Sequence, residues 1–427
     1  MAQTRPRTPD RLRRRARGRI VGLDMARALA LFGMMATHLL PDSVDGQTVS
    51  WWQQLAGGRA AALFALLAGV SLALVTDRAV AGPDAAGTDG DHPADEPEAP
   101  ADDVPRHTAL KAARAGVVVR ACVIGVLGLM LGGLDTGIAV ILTYYAVLFV
   151  LALPFLGMGP RNLAVLAVGW ALLAPVLSHL VRPYLPERVG ASPSLDFLLL
   201  QPVRLVSELL FTGYYPTVPW LAYLLAGLAI GRLPLHRTAP PAALAVGGAV
   251  LALSAWGSSW LVLHRLGGLA HLRATAPADV APFDVMAVDQ ALVRGTFGTT
   301  PTTSWWWLTT AAPHASTPLD LLQSIGSAML VIGVCLLAGQ AAPRALGLLF
   351  AAGTMTLTLY SLHLVALDVG VGPPDDTAGL FWAHVAGAIA FGALWRATLG
   401  RGPLEAFTRA CSGLARSTVL VLSRRPG

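Results

Sequence analysis

Residues 20–40 read Ile20-Val21-Gly22-Leu23-Asp24-Met25-Ala26-Arg27-Ala28-Leu29-Ala30-Leu31-Phe32-Gly33-Met34-Met35-Ala36-Thr37-His38-Leu39-Leu40. The run is long enough to cross a bilayer, which takes about 20 apolar residues. It nevertheless carries Asp24, Arg27 and His38. These three, with Leu31 and Met34, follow steps of 3, 4, 3 and 4, so all five share one helical face. Arg27 and His38 are three turns apart, about 16 Å along the axis. Ionisable groups at membrane depth are costly, usually face the bundle interior and mark function. Eight arginines precede the run within residues 1–19. An arginine-rich start before an apolar stretch also describes a signal peptide. This run is longer than such a segment, is interrupted by charges and lacks a small-residue cleavage site, so it reads as an uncleaved first span.

The rest of the chain fits that opening. Of 427 residues, 54% are hydrophobic and 13% charged, about half the charge of a typical soluble domain. This excludes a disordered chain, a disulfide mini-protein and an ordinary soluble enzyme. Further apolar runs at about 60–75, 116–133, 137–157, 163–181, 220–233, 242–263, 321–338, 346–367 and 379–399 predict ten spans in all. The fold class is therefore all-α, a polytopic integral membrane helix bundle. The net charge of +6 is better explained by basic residues at cytoplasmic helix ends than by nucleic acid. With both termini inside, the inner tails and loops hold most of the 31 basic residues, so the topology reads N-in, C-in. Lys111 is the only lysine. Cys122, Cys335 and Cys411 form neither a CxxC pair nor a disulfide framework, and no metal-ligand spacing is present.

Five regions follow. Residues 1–19 are a basic cytoplasmic tail, and 20–79 hold the first two spans with the Asp/Arg/His stripe. Residues 80–110, rich in acidic residues, Pro, Gly and Ala, read as a disordered cytoplasmic linker. Residues 111–400 form the main bundle with outer loops 182–219 and 264–320, and 401–427 are a second basic cytoplasmic tail. Trp305-Trp306-Trp307, in the second outer loop, suits an interfacial aromatic belt or a platform for stacking a sugar ring.

This topology sorts the polar residues by depth. Asp24, Arg27 and Arg120 (in the third span) form an inner layer. His38, Arg59 at the start of the second span, Tyr214, Tyr215 and His363 form an outer layer. Trp220, Tyr360 and His384 also lie toward the outside. Each residue has a purely structural reading as well. Arg27 can snorkel and pair with Asp24 one turn away, and a histidine near a helix end is commonly a structural hydrogen-bonder.

The stretch Arg19-x-x-x-Leu23-Asp24-x-x-Arg27-Ala28-x-Ala30, continuing to Met34 and His38, resembles the opening of the heparan-α-glucosaminide N-acetyltransferase catalytic-domain family of bacterial transmembrane acyltransferases. Ala28 stands where glycine is usual. Gly58-Arg59-Ala60-Ala61-Ala62-Leu63-Phe64, Ile141-Leu142-Thr143-Tyr144-Tyr145, Gly353-Thr354-Met355-Thr356-Leu357-Thr358-Leu359-Tyr360 and Arg401-Gly402-Pro403-Leu404-Glu405 resemble a related bacterial membrane family of unassigned function.

The resemblance implies a multi-pass protein of the bacterial plasma membrane. It would move an acyl group, such as acetyl, from cytoplasmic acyl-CoA to an outward-facing sugar or glycan. Acyl-CoA would be a co-substrate, with no tightly bound cofactor, no metal and no nucleic-acid partner. CoA phosphates suit guanidinium forks, which assigns the donor to Asp24, Arg27 and Arg120. A histidine suits a general base near neutral pH or a nucleophile, which assigns the chemistry to His38, with Arg59 or a tyrosine stabilising the oxyanion. Tyr214, Tyr215, Trp220, Tyr360 and His363 would meet the acceptor. A transporter or flippase, or a non-catalytic membrane scaffold, would use the same buried groups differently. Oligomeric state cannot be read from the sequence.

Overall fold

The computed structural model describes residues 19–43, 48–85, 104–188, 190, 192–275, 285–373 and 375–423. Among them the chain is helical, with one isolated β-bridge between Ser43 and Val49 and no strand. The long helices are α1 (Val21–Leu39), α2 (Arg59–Ala85), α3 (Arg106–Leu131), α4 (Leu142–Leu151), α5 (Pro160–Val181), α6 (Thr217–Gly231), α7 (Ala239–Arg265), α8 (Pro318–Ala341), α9 (Thr356–Asp368), α10 (Thr377–Thr398) and α11 (Pro403–Leu422). Proline opens α5, α8 and α11, where its missing N–H costs nothing and its fixed φ suits the first turn.

Six described helices are long and apolar enough to cross a bilayer. They cover Trp51–Asp77, Arg106–Leu131, Pro160–Tyr184, Ala239–Arg265, Pro318–Ala341 and Thr377–Thr398. The other predicted spans are helical but shorter or more polar. Helix α1 has 19 residues and three ionisable groups. Helix α4 continues into a 3-10 turn at Leu153–Gly157, and α6 has 15 residues. Leu173, Val246, Leu253, Trp382 and Leu394 stand exposed on α5, α7 and α10. Water would not favour such faces; hydrocarbon does. The molecule is an all-helical membrane protein.

The core is built on α1, α2 and α6. Leu31, Met35, Leu66, Leu67, Leu224 and Leu228 are fully buried within it. Helices α2 and α6 approach closely because small residues face each other. A Cβ added at Gly227 would lie 2.0 Å from the Leu66 carbonyl oxygen, so only glycine fits that crossing. Helices α5 and α8 also pack on α6, α7 on α8, and α3 carries α4 on one side and α11 on another.

Three segments differ from the sequence expectation. The ninth span, expected as one helix from 346 to 367, is broken into a short helix (Pro343–Leu349), a 3-10 turn (Ala351–Thr354) and α9. The break fits α1. A Cβ on Gly353 would come within 1.8 Å of the Asp24 carbonyl oxygen, and Met355 leaves helical geometry at φ −141°, ψ 44°. The second difference is at the C-terminal end, where 20 residues of the expected tail form α11, packed along α3. The third is that the outer loops contain short helices at Leu195–Leu200, Pro202–Ser207, Gly268–Ala274 and Val285–Arg294. In the acidic linker, residues up to Ala85 continue α2 and those from Arg106 begin α3. Residues 86–103 between them, and the tail 1–18, lie outside the described residues.

Candidate functional site

At the N-terminal end of α1 the buried Asp24 carboxylate accepts from Arg19 and, at 3.0 Å, from Arg27 Nη1. The other fork of Arg27 donates to Ser71 Oγ on α2 at 2.8 Å. Ser71 in turn donates to the Leu67 carbonyl at 2.7 Å. Arg120, on α3, lies within electrostatic reach of both Arg27 and Glu405. Its Nε is buried without a hydrogen-bond partner, and its guanidinium sits 6.0 Å from the Phe149 ring centroid. Glu405 is already committed: it accepts from the backbone N–H of Leu357 (2.8 Å) and Thr358 (3.2 Å) and from Thr358 Oγ1 (2.6 Å). One carboxylate, Asp24, thus serves Arg19 and Arg27 while Arg120 adds a further positive charge. Surplus guanidinium with an unused donor is the chemistry of an anion site.

At the C-terminal end of α1, three histidines from three helices line up. His38 Nδ1 is 3.2 Å from His363 Nε2 on α9, and His363 Nδ1 is 2.9 Å from His384 Nδ1 on α10. The His38 and His363 rings are stacked with 11° between their planes, whereas His384 stands edge-on to His363. His363 is buried; His38 and His384 are half-buried. His38 and His363, both expected in the outer layer, are joined by the fold across 325 residues.

The third cluster lies on the loops beside the start of α2. Arg59 donates from Nη1 to the Gln54 carbonyl at 2.7 Å. With the Gln323 amide turned to suit both neighbours, its oxygen accepts from Arg59 Nη2 at 2.8 Å and its nitrogen donates to the Ala311 carbonyl at 3.3 Å. Tyr214, Tyr215 and Trp220 surround His314, with ring centroids 5.5, 5.7 and 6.3 Å away. The Tyr215 hydroxyl donates to the Ala139 carbonyl (3.3 Å), the Tyr214 N–H donates to the Tyr144 hydroxyl (3.2 Å), and Trp220 Nε1 donates to Ser316 Oγ (3.2 Å). Burial pushes the Tyr214 phenol up to about 12, partly offset by the Arg188 guanidinium 5.2 Å over its ring. His314 has φ +54° and a buried Nδ1 with no hydrogen-bond partner. Burial first, and the Arg59 charge second, push it down to about 4. Such a backbone conformation costs on the order of 1–3 kcal/mol for a residue with a side chain, and such strain clusters at functional sites.

The structure thus brings Asp24, Arg27 and Arg120 into one region, His38 and His363 into contact, and Tyr214, Tyr215 and Trp220 around one ring. Tyr360 stands between clusters. Its hydroxyl accepts from the Ile141 N–H at 3.4 Å, and it lies within electrostatic reach of Tyr215 and Tyr145. Sequence reasoning missed His314, Ser71, Gln323 and Glu405. None shares a helical face with the α1 stripe, and only long-range packing assembles them. The tryptophans divide: Trp307 is fully buried, Trp306 stacks on His271 at 4.9 Å, and Trp305 is exposed beside His179. Among the described residues, no group of three metal-ligating side chains is placed to hold an ion.

Apolar helices outside and a polar row along the first helix inside define a polytopic membrane protein with a polar interior face. The family can be named as well. The model of the family "heparan-alpha-glucosaminide N-acetyltransferase, catalytic" matches residues 19–263, more than half of the chain, and the chain belongs to that family. Comparison with curated proteins finds no match.

Proposed function

We propose that this protein is a membrane acyltransferase. It takes an acyl group, acetyl in the simplest case, from cytoplasmic acyl-CoA and passes it to an outward-facing sugar or glycan. In this reading the chain crosses the bacterial plasma membrane ten times with both termini inside. Acyl-CoA is a co-substrate, its phosphates held by Arg27 and Arg120 with Asp24 orienting Arg27. The thioester reaches along the α1 stripe, about 16 Å, to His38. There the acceptor hydroxyl or amine attacks the thioester carbonyl as His38 removes its proton. Arg59 supplies positive charge on the acceptor side for the developing oxyanion. Tyr214, Tyr215, Trp220 and His314 form the aromatic wall against which a sugar ring would rest, with Tyr360 and His363 behind it.

The single observation that carries this reading is the state of His38. Its Nδ1 is held by His363, while its Nε2 engages no hydrogen-bond partner among the described residues. A half-buried imidazole with one nitrogen oriented and the other open is the arrangement general-base catalysis requires. Family membership supports acetyl transfer as the reaction class.

One observation favours a transporter instead. Discontinuous helices commonly line substrate paths, and the chain breaks between Ala351 and Thr354 beside Asp24. The helix end freed by that break, however, is occupied by Glu405. Purified His38→Ala and Arg27→Ala separate the readings. His38→Ala is expected to fold, to bind acyl-CoA and to transfer about 10²–10⁴-fold more slowly. Arg27→Ala is expected to weaken acyl-CoA binding. Full activity in His38→Ala on a panel of sugar acceptors would overturn the proposal.

A further inference from the structure

Beyond the acceptor and donor sites, the fold places His384 where a lone surface histidine has no need to be. The chain His38–His363–His384 runs end to end through ring nitrogens, at 3.2 and 2.9 Å. A neutral imidazole has one N–H and one bare nitrogen. Each ring in such a row therefore fixes the tautomer of the next. The role assigned to His38 sets the direction. A base needs a bare Nε2, so His38 carries its hydrogen on Nδ1 and donates it to His363 Nε2. His363 Nδ1–H then donates to His384 Nδ1, and the His384 hydrogen sits on Nε2.

We propose that His38, His363 and His384 form a one-way proton relay, in which His363 and His384 are positioning residues that carry the acceptor's proton away from His38. This rests on the acyl-transfer reading for the source of the proton. The balance is simple. The acceptor's O–H or N–H bond breaks and its proton bonds to His38 Nε2. His38 Nδ1–H passes to His363 Nε2, and His363 Nδ1–H passes to His384 Nδ1. His384, half-buried, releases its Nε2 proton to water. Each ring ends neutral with its proton on the other nitrogen, and ring reorientation resets the row. The electron pair of the broken bond forms the new acyl bond, and the thiolate of CoA leaves on the donor side. The alternative of a metal trio does not compete, since the described residues hold no group placed for one.

The test uses the full chain in lipid nanodiscs with ¹⁵N-labelled histidine. His38 is expected as the Nδ1–H tautomer, converting to Nε2–H in His384→Ala as the row loses its terminal acceptor. A wild-type His38 already protonated on Nε2, or one indifferent to His384, overturns the relay whatever the activity. With acetyl-CoA and a sugar acceptor, His384→Ala is expected to lower kcat by about 10²-fold, the low end for positioned acid–base groups. KM for acetyl-CoA should stay unchanged, and added imidazole should restore the rate. His363→Gln, which fills the same space and cannot pass a proton on, should lose kcat without rescue. Unchanged kcat in both variants, or a loss that follows acetyl-CoA binding, overturns the relay. The expected tautomers in a protein that acylates no acceptor would instead overturn the acyl-transfer reading and leave the row as a proton conductor.

Discussion

His314 shows how a residue's neighbours change what it can do. Its backbone is left-handed, its ring is enclosed by Tyr214, Tyr215 and Trp220, and its Nδ1 is unpartnered. With its folded value pushed down to about 4 from an ordinary 6.5, the ring stays neutral in the folded protein while it would charge in an unfolded chain. The stability it contributes is therefore complete above about 6.5. It declines as pH falls toward 4, where both states are protonated. Thermal melts of wild type and His314→Asn should converge in their pH slope above 6.5 and diverge between 6.5 and 4, wild type being the steeper. Parallel curves would mean that the ring is not held neutral by burial. His314 was not legible in the sequence, because Pro313-His314-Ala315 has no periodic partner and its cage comes from Tyr214, Tyr215 and Trp220, where a distant loop enters α6. Asp24, Arg27 and His38 were legible, because a 3–4 spacing on one helix needs no tertiary information.

At the level of elements, α9 depends on a residue from the next-but-one helix. Its N-terminus leaves backbone N–H groups without helical partners, and the Glu405 carboxylate takes those of Leu357 and Thr358 together with the Thr358 hydroxyl. This is a cap delivered in trans along the chain, with a carboxylate at the positive end of the helix. Glu405→Ala should cost about 1–2 kcal/mol and lower the melting temperature in detergent, whereas Glu405→Gln should recover part of it. No loss in Glu405→Ala would mean that water replaces the cap. Sequence pattern located the apolar runs, since hydrophobic length is a local property, but α2 runs on to Ala85 and α3 starts at Arg106, beyond the expected 75 and 116. It did not locate the break at 351–354, which Gly353 makes only because α1 passes against it. Helix α11 was in principle visible: Leu404, Phe407, Cys411 and Leu414 recur at helical spacing behind Pro403, but the basic residues around them drew the segment into a tail.

For the whole molecule, the proposed orientation assigns the two ends of α1 to opposite sides of the membrane. Single cysteines introduced at 86–103 should react with impermeant reagents only from the cytoplasm, and those at 300–304 only from outside; the reverse pattern would exchange donor and acceptor sides throughout. The orientation gives the histidine row an electrical meaning. On the acyl-transfer reading, a proton released at His384 would appear outside, while the CoA thiolate would regain its proton from the cytoplasm near Arg27 and Arg120. Each turnover would then move one unit of positive charge outward, against the interior-negative potential, at a cost of about 2.3 kcal/mol per 100 mV. Collapsing the potential across proteoliposomes should speed acylation in the wild type and leave His363→Gln unaffected. Equal rates at every voltage in the wild type would mean that the proton returns to the thiolate directly. A cell that charges its membrane would, through this row of three rings, slow the modification of its own surface.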